Sequence, residues 1–355
     1  MTTTRSVNLS IFCLSLLLAA VGAAGQECKS VHVANVKSIF AMATSPTGSN
    51  LLFYGSAEKA EGEIVTGNLF RLRLDATSGV EQLKSPDASN PPGPVWQPDG
   101  SSAYFETDEG IYQLSSARDT PELVWKGPAD GLAISPDGLL LAFWRIGKGT
   151  DTLVLFDLKK KSEARTWRVP DRFESDKSGW DIAFAHDGRA LYARTYDQTS
   201  NTPLKRFDVG SGNVTVVSPN SYAAAEGKEA VYFIGVSGDA RSLYKITAGV
   251  RSTLVAKEFG YDSLASSGNP RWLVSQDYRT KQMVVLDTQT DAIKPIGKHE
   301  AAAVLSDGRL LSAKGAEITV GDSSCTADMH SETVDPKTGN LYLTNSAVAF
   351  SKAKQ

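Results

Sequence analysis

The chain is poor in the residues that most enzymes use as chemical handles: among its 355 residues are three cysteines and four histidines. The histidines His32, His186, His299 and His330 fall into no His-Glu-x-x-His or other short metal-ligand spacing, which excludes the common zinc-protease signatures. No Cys-x-x-Cys pair occurs, and Gly235-Val-Ser-Gly lacks the spacing of a nucleophile elbow. Neither Asp208-Val-Gly-Ser-Gly-Asn nor Asp322-Ser-Ser has calcium-loop spacing, so both read as hairpin turns. No copy of the sialidase Asp-box order is present. Charge is also nearly balanced, at a formal net of -3. The one basic run, Lys159-Lys160-Lys161, sits where a hairpin tip is expected, so nothing points to a nucleic-acid surface.

Long apolar runs are missing beyond the amino terminus, as is any sustained three-four helical periodicity. The exception is Ile11 to Val21, preceded by Arg5 and followed by the small residues Gly22 to Gly25. This run is too short to span a bilayer and has the form of an export signal over residues 1–25. A chain routed this way is expected to be periplasmic or extracellular, with no transmembrane segment in its mature form. Two cysteines then remain, Cys28 and Cys325, and in an exported chain they are a candidate disulfide. Asn213-Val-Thr is a glycosylation sequon.

What is present is a repeat. Trp96-Gln-Pro-Asp-Gly-Ser-Ser-Ala-Tyr-Phe, Ile134-Ser-Pro-Asp-Gly-Leu-Leu-Leu-Ala-Phe and Phe184-Ala-His-Asp-Gly-Arg-Ala-Leu-Tyr-Ala share a turn between two β-rich runs. Weaker copies bring the turn glycines to eight: Gly48, Gly100, Gly138, Gly188, Gly227, Gly268, Gly308 and Gly339. Their spacings are 52, 38, 50, 39, 41, 40 and 31 residues. A period near forty is that of a four-stranded propeller blade. In the turn, proline presets φ, aspartate bonds neighbouring amides and glycine accepts positive φ. Small residues precede the turns, among them Ala43, Ala133, Ala183, Ala223 to Ala225 and Ala301 to Ala303, as the crowded strands at a propeller axis require. Bulky residues such as Tyr104, Phe105, Phe143 and Trp144 follow.

The expected fold is therefore an all-β propeller over residues 26–355, with eight blades and seven as the alternative. The unit around Gly339 shows only three strands, Glu332 to Asp335, Asn340 to Thr344 and Ala347 to Ser351. Val31 to Val36 is expected to supply its fourth, so that both termini close the ring and remove an exposed edge.

Ser135-Pro-Asp-Gly-Leu-Leu-Leu-Ala-Phe resembles the TolB-type propeller repeat, which is related to WD-like repeats. The resemblance implies a propeller over most of the chain. It implies a fold rather than an activity, since such groups include periplasmic scaffolds and the propeller domains of peptidases.

If the Asp-Gly turns mark one face, the residues opening the innermost strands and ending the second strands ring the channel on the other. Those opening inner strands are Trp180, Asp181, Tyr222, Tyr261, Asp262 and His330; those ending second strands are Glu106, Arg145, Arg194 and Gln276. Aromatics beside both charge signs suit a protein or cell-envelope partner, or a glycan. The leading expectation is a noncatalytic binding propeller without cofactor or metal. The alternative is a propeller enzyme, a lactonase, lyase or glycan hydrolase, using Asp181, Asp262, Arg145, Arg194 and His330.

Overall fold

In the computed structural model the described residues are 28–58, 66–74, 79–89, 91, 93–147, 150–170, 181–195, 202–277, 279–321, 331–334 and 341–344. They contain strands and turns and no helix, hence none long and apolar enough to cross a membrane.

Seven antiparallel sheets follow one another along the chain, each built on a four-stranded ladder; in the first, the short strand Ala88–Ser89 also pairs with Thr66 and Gly67 as a fifth. Blade 1 has Ser38–Thr44 innermost, then Asn50–Ser56, Thr66–Arg73 and Val80–Gln82. Blade 2 runs Val95–Trp96, Ser102–Thr107, Gly110–Ser115 and Glu122–Lys126. Blade 3 runs Ala129–Ile134, Leu140–Arg145, Thr150–Asp157 and Ser162–Pro170. Blade 4 runs Ile182–Phe184, Ala190–Arg194, Leu204–Asp208 and Val214–Ser218. Blade 5 runs Ser221–Glu226, Val231–Ser237, Ala240–Ile246 and Thr253–Ala256. Blade 6 runs Ala265–Ser266, Trp272–Gln276, Gln282–Asp287 and Ala292–Lys298. Blade 7 runs Ala301–Val304, Leu310–Lys314 and Glu317–Gly321, with Lys29–His32 outermost.

The ring is thus seven-bladed, which corrects the count of eight in favour of its alternative. Closure by the amino-terminal strand holds, but in a different unit from the one expected. Lys29–His32 pairs with Glu317–Gly321 in the Gly308 unit, matching Lys29 to Val320 and His32 to Glu317. That unit supplies only three strands of its own. The 31 residues between Gly308 and Gly339 are too few for another complete blade. Among the described residues Ser331–Val334 and Leu341–Thr344 pair only with each other, as a separate two-stranded sheet. Ala347 to Ser351 lie outside the described residues.

The repeated turns have one construction. The glycine N–H bonds the carbonyl three residues back, from Gly100 to Gln97, Gly138 to Ser135 and Gly188 to Ala185, each at 2.8 Å. In blade 3, Ser135 Oγ donates to Asp137, while Asp137 accepts the Leu139 N–H at 3.0 Å. Gly138 has φ +71°, and a Cβ there would lie 2.3 Å from Gln97 Oε1 in the turn of blade 2. The positive φ is what favours glycine here, since the Gln97 side chain can swing away from an added methyl group.

The apolar core lies between blades. One cluster joins blades 3 and 4 through Trp144, Leu153, Trp167, Phe184 and Phe207, and another joins blades 1 and 2 through Tyr54, Leu69, Trp96 and Phe105. Alanines fill the narrow inner positions: Ala43, Ala133, Ala183 and Ala303 are all buried. At the turn face Thr44 of blade 1 reaches past blade 7 to blade 6. Its N–H and Oγ1 donate to Ser267 O at 3.0 and 2.6 Å, and Oγ1 also lies 3.2 Å from Val304 O. These contacts bring blades 1, 6 and 7 together at the axis, and the loops of interest lie at its opposite end.

Candidate functional site

The face opposite the Asp-Gly turns is formed where innermost strands begin, second strands end and third strands start. Its best-defined part spans blades 4 to 6. Asp181 stands immediately before the inner strand of blade 4, and its Oδ2 accepts the Ala224 N–H of blade 5 at 3.2 Å. Arg194, at the end of the adjacent second strand, lies with Nε 3.6 Å from the same oxygen and donates through Nη1 to the Tyr222 carbonyl. Burial pushes the Asp181 carboxyl up to about 6; the Arg194 charge and the Ala224 N–H oppose that rise without cancelling it.

Tyr222 is presented by these contacts. It opens the inner strand of blade 5 and is 41% exposed, one of few large side chains so open. The Arg241 guanidinium, from the third strand of the same blade, lies 4.1 Å from its ring centre and pairs with Asp262. Asp262 is held in turn by its N–H, which donates to the Gln276 carbonyl at 2.8 Å. Gln276 is buried; its Nε2 donates to His299 O at 2.7 Å, and its N–H to Ser263 Oγ at 3.0 Å. Tyr261 packs on Phe259 with ring centres 4.9 Å apart, and burial raises its hydroxyl pKa.

Two other predicted residues lie apart from this set. Glu106, ending the second strand of blade 2, is buried, and its Oε1 has no hydrogen-bond partner among the described residues. Burial first, and then the charge of Asp130, hold this carboxyl well above the usual range. Its carbonyl accepts the Tyr54 hydroxyl at 2.9 Å. Arg145 is ion-paired with Glu163 of the outermost strand of its own blade. Trp180 and His330 lie outside the described residues, as does Cys325.

Sequence reasoning thus named Asp181, Arg194, Tyr222, Asp262 and Gln276, which meet, and missed Arg241, Asp130 and His299. Arg241 follows the tight turn Ser237–Ala240 and had no repeat position to mark it. His299 is buried, with Nε2 2.8 Å from Ile296 O, and burial lowers its pKa. Among the described residues no group of three or more His, Cys, Asp or Glu side chains is placed to hold a metal ion.

No protein-family model matches the chain, and no curated protein matches it by sequence. Solved structures do match. An oligogalacturonate lyase in complex with manganese superposes with a TM-score of 0.59 at 12% identity, covering 84% of this chain and 96% of that one. TolB from Acinetobacter baumannii gives 0.50 at 17% identity, covering 71% of this chain and 64% of TolB. The Dos1 propeller gives 0.53 at 11% identity, with 83% and 95% covered. By fold, this is a β-propeller that resembles TolB at the level of architecture. Identities this low carry the architecture alone, and one fold is shared here by a lyase and by proteins without that description, so any activity has to be argued from the site.

Proposed function

We propose that the chain is an exported, noncatalytic propeller that binds a protein or cell-envelope partner through the blade 4 to 6 sector of its channel face, with Tyr222 as the anchor. The observation that carries this reading is an open aromatic ring whose charged neighbours are already committed to one another. Arg194 faces Asp181 and Arg241 pairs with Asp262, leaving the ring rather than a reactive group to meet a ligand. Rigid aromatic and arginine groups of this kind are the usual energetic centres of protein interfaces.

The reading includes export directed by residues 1–25, a single propeller domain over 26–355, a periplasmic or extracellular location, and a Cys28–Cys325 bridge. Support for the bridge is positional. Cys28 directly precedes the closing strand, whose Lys29 is matched to Val320, and Cys325 follows that partner strand by four residues. A disulfide there would fasten the two ends of the ring.

The test is capture from envelope extract by wild-type protein and by Tyr222→Ala, both checked for folding by circular dichroism. A partner retained by the wild type and reduced at least tenfold by the variant is expected. One observation favours an enzyme instead, the buried carboxyl of Glu106 whose Oε1 has no hydrogen-bond partner among the described residues, because such groups cluster at catalytic sites. Turnover of an oligogalacturonate or a lactone that is abolished by Glu106→Gln, with no partner captured, would establish that alternative.

A further inference from the structure

Seven large hydrophobic side chains are exposed among the described residues. Leu123, Val214, Val216 and Leu254 belong to outermost strands, and Leu139 and Val250 to loops of the turn face. Of these seven only Tyr222 is on the channel face. The centre of a protein interface is a set of contiguous apolar side chains from which water is excluded, and one open ring among charged neighbours does not make such a centre. A ligand that needs a single aromatic platform fits it better.

The ring has two unlike faces. The Arg241 guanidinium lies over one of them, 4.1 Å from the ring centre, so the exposed surface is the opposite face and the edge. A ring whose electrons are already drawn toward one cation attracts a second weakly, which disfavours an ammonium or guanidinium ligand. What the open face offers is apolar contact for a flat, uncharged, C–H-bearing surface. An acidic ligand is not selected either, since each arginine already faces a carboxylate: Arg194 lies 3.6 Å from Asp181, and Arg241 pairs with Asp262.

Hydrogen-bonding groups remain open around the ring. The Tyr222 hydroxyl has no partner among the described residues. The Asp181 side chain is 25% exposed and commits Oδ2 to the Ala224 N–H and to Arg194, which leaves Oδ1 to accept. Arg194 ties this carboxylate to the strand that presents the ring by donating to the Tyr222 carbonyl. A pyranose has the matching form, with C–H groups on its face and hydroxyls around its rim.

We propose, building on the docking reading above, that the partner of the blade 4 to 6 sector is an uncharged oligosaccharide of the cell envelope, with one sugar ring stacked on the open face of Tyr222. Hydroxyls of that ring or its neighbour bond Asp181 Oδ1 and the Tyr222 hydroxyl, and the paired arginines hold the platform in place without meeting a charge on the ligand.

The test is calorimetric titration of the full chain with cellohexaose, maltohexaose and chitohexaose, and with hexagalacturonate as the charged comparator. At least one uncharged hexamer is expected to bind at a single site per chain, at least tenfold more tightly than hexagalacturonate. Tyr222→Ala should weaken that binding at least tenfold, whereas Tyr222→Trp, which keeps a stacking surface, should hold it within about threefold of wild type. Absence of binding by all three uncharged hexamers, equal or tighter binding of hexagalacturonate, or unchanged affinity in a folded Tyr222→Ala would overturn the proposal. If the sugars fail while capture of a protein from envelope extract still depends on Tyr222, the docking reading stands and the glycan is excluded; if that capture fails as well, both fall.

Discussion

Replacing Gly268 by alanine tests whether blades 1 and 6 meet across the axis. Gly268 has φ +89°, and a Cβ at this position would lie 1.7 Å from the carbonyl oxygen of Thr44. The left-handed backbone alone costs an alanine about 1–2 kcal/mol. The new methyl group also has to displace Thr44, whose N–H and Oγ1 donate to Ser267 O at 3.0 and 2.6 Å. Losing two such bonds adds roughly 0.5–1.5 kcal/mol each. The expected total is thus about 2–5 kcal/mol. Gly249→Ala is the matched control, since Gly249 has φ +66° but no atom within 4 Å of where the methyl group would stand; it should cost only the backbone part, about 1–2 kcal/mol. Urea unfolding followed by tryptophan fluorescence reads both, provided the m-values agree. Equal losses in the two variants would refute the close approach of Thr44 and Gly268, and with it the contact between blades 1 and 6 at the turn face.

Three further outcomes are expected. Burial pushes the Glu226 carboxyl up to about 8, so between its ordinary pKa and that value the native state holds a proton that the unfolded chain has released. Stability should therefore fall as the pH rises from roughly 5 to 8, and Glu226→Gln should flatten that decline in thermal melts. Phe105→Ala empties a fully buried position between blades 1 and 2 and should cost about 3–5 kcal/mol in the same urea assay. If the proposed Cys28–Cys325 bridge is present, denatured protein will show neither thiol to a maleimide until it is reduced, and Cys28→Ser will lower stability by about 2–5 kcal/mol.

The propeller was legible because its turns are local chemistry. Ser135 to Gly138 states its conformation in four residues, and the same hydrogen bond recurs wherever that pattern does. Blade number was less legible because it depends on which strands pair, and pairing is not local. Glu317–Gly321 looks like any short strand until Lys29–His32 is placed beside it, and a hairpin such as Ser331–Val334 with Leu341–Thr344 has the pattern of half a blade without joining one. The site followed the same division. Asp181, Arg194 and Tyr222 occupy fixed places in the repeat and could be named from it, whereas Arg241 matters through a ring stacked beneath it. The Asp130 carboxyl likewise acts on Glu106 from the neighbouring blade.

The seam of the ring also orders events in time. Ser30 and Thr319, whose hydroxyls lie 3.3 Å apart, are separated by 289 positions in sequence. The strand synthesised first has to wait, edge unpaired, until nearly all of the propeller has been made, and ladders of such long separation form slowly. Until then the seven-bladed circle is an open arc of sheets with a free edge at each end. Once the last pairing forms, neither end can be drawn off without opening the whole circle.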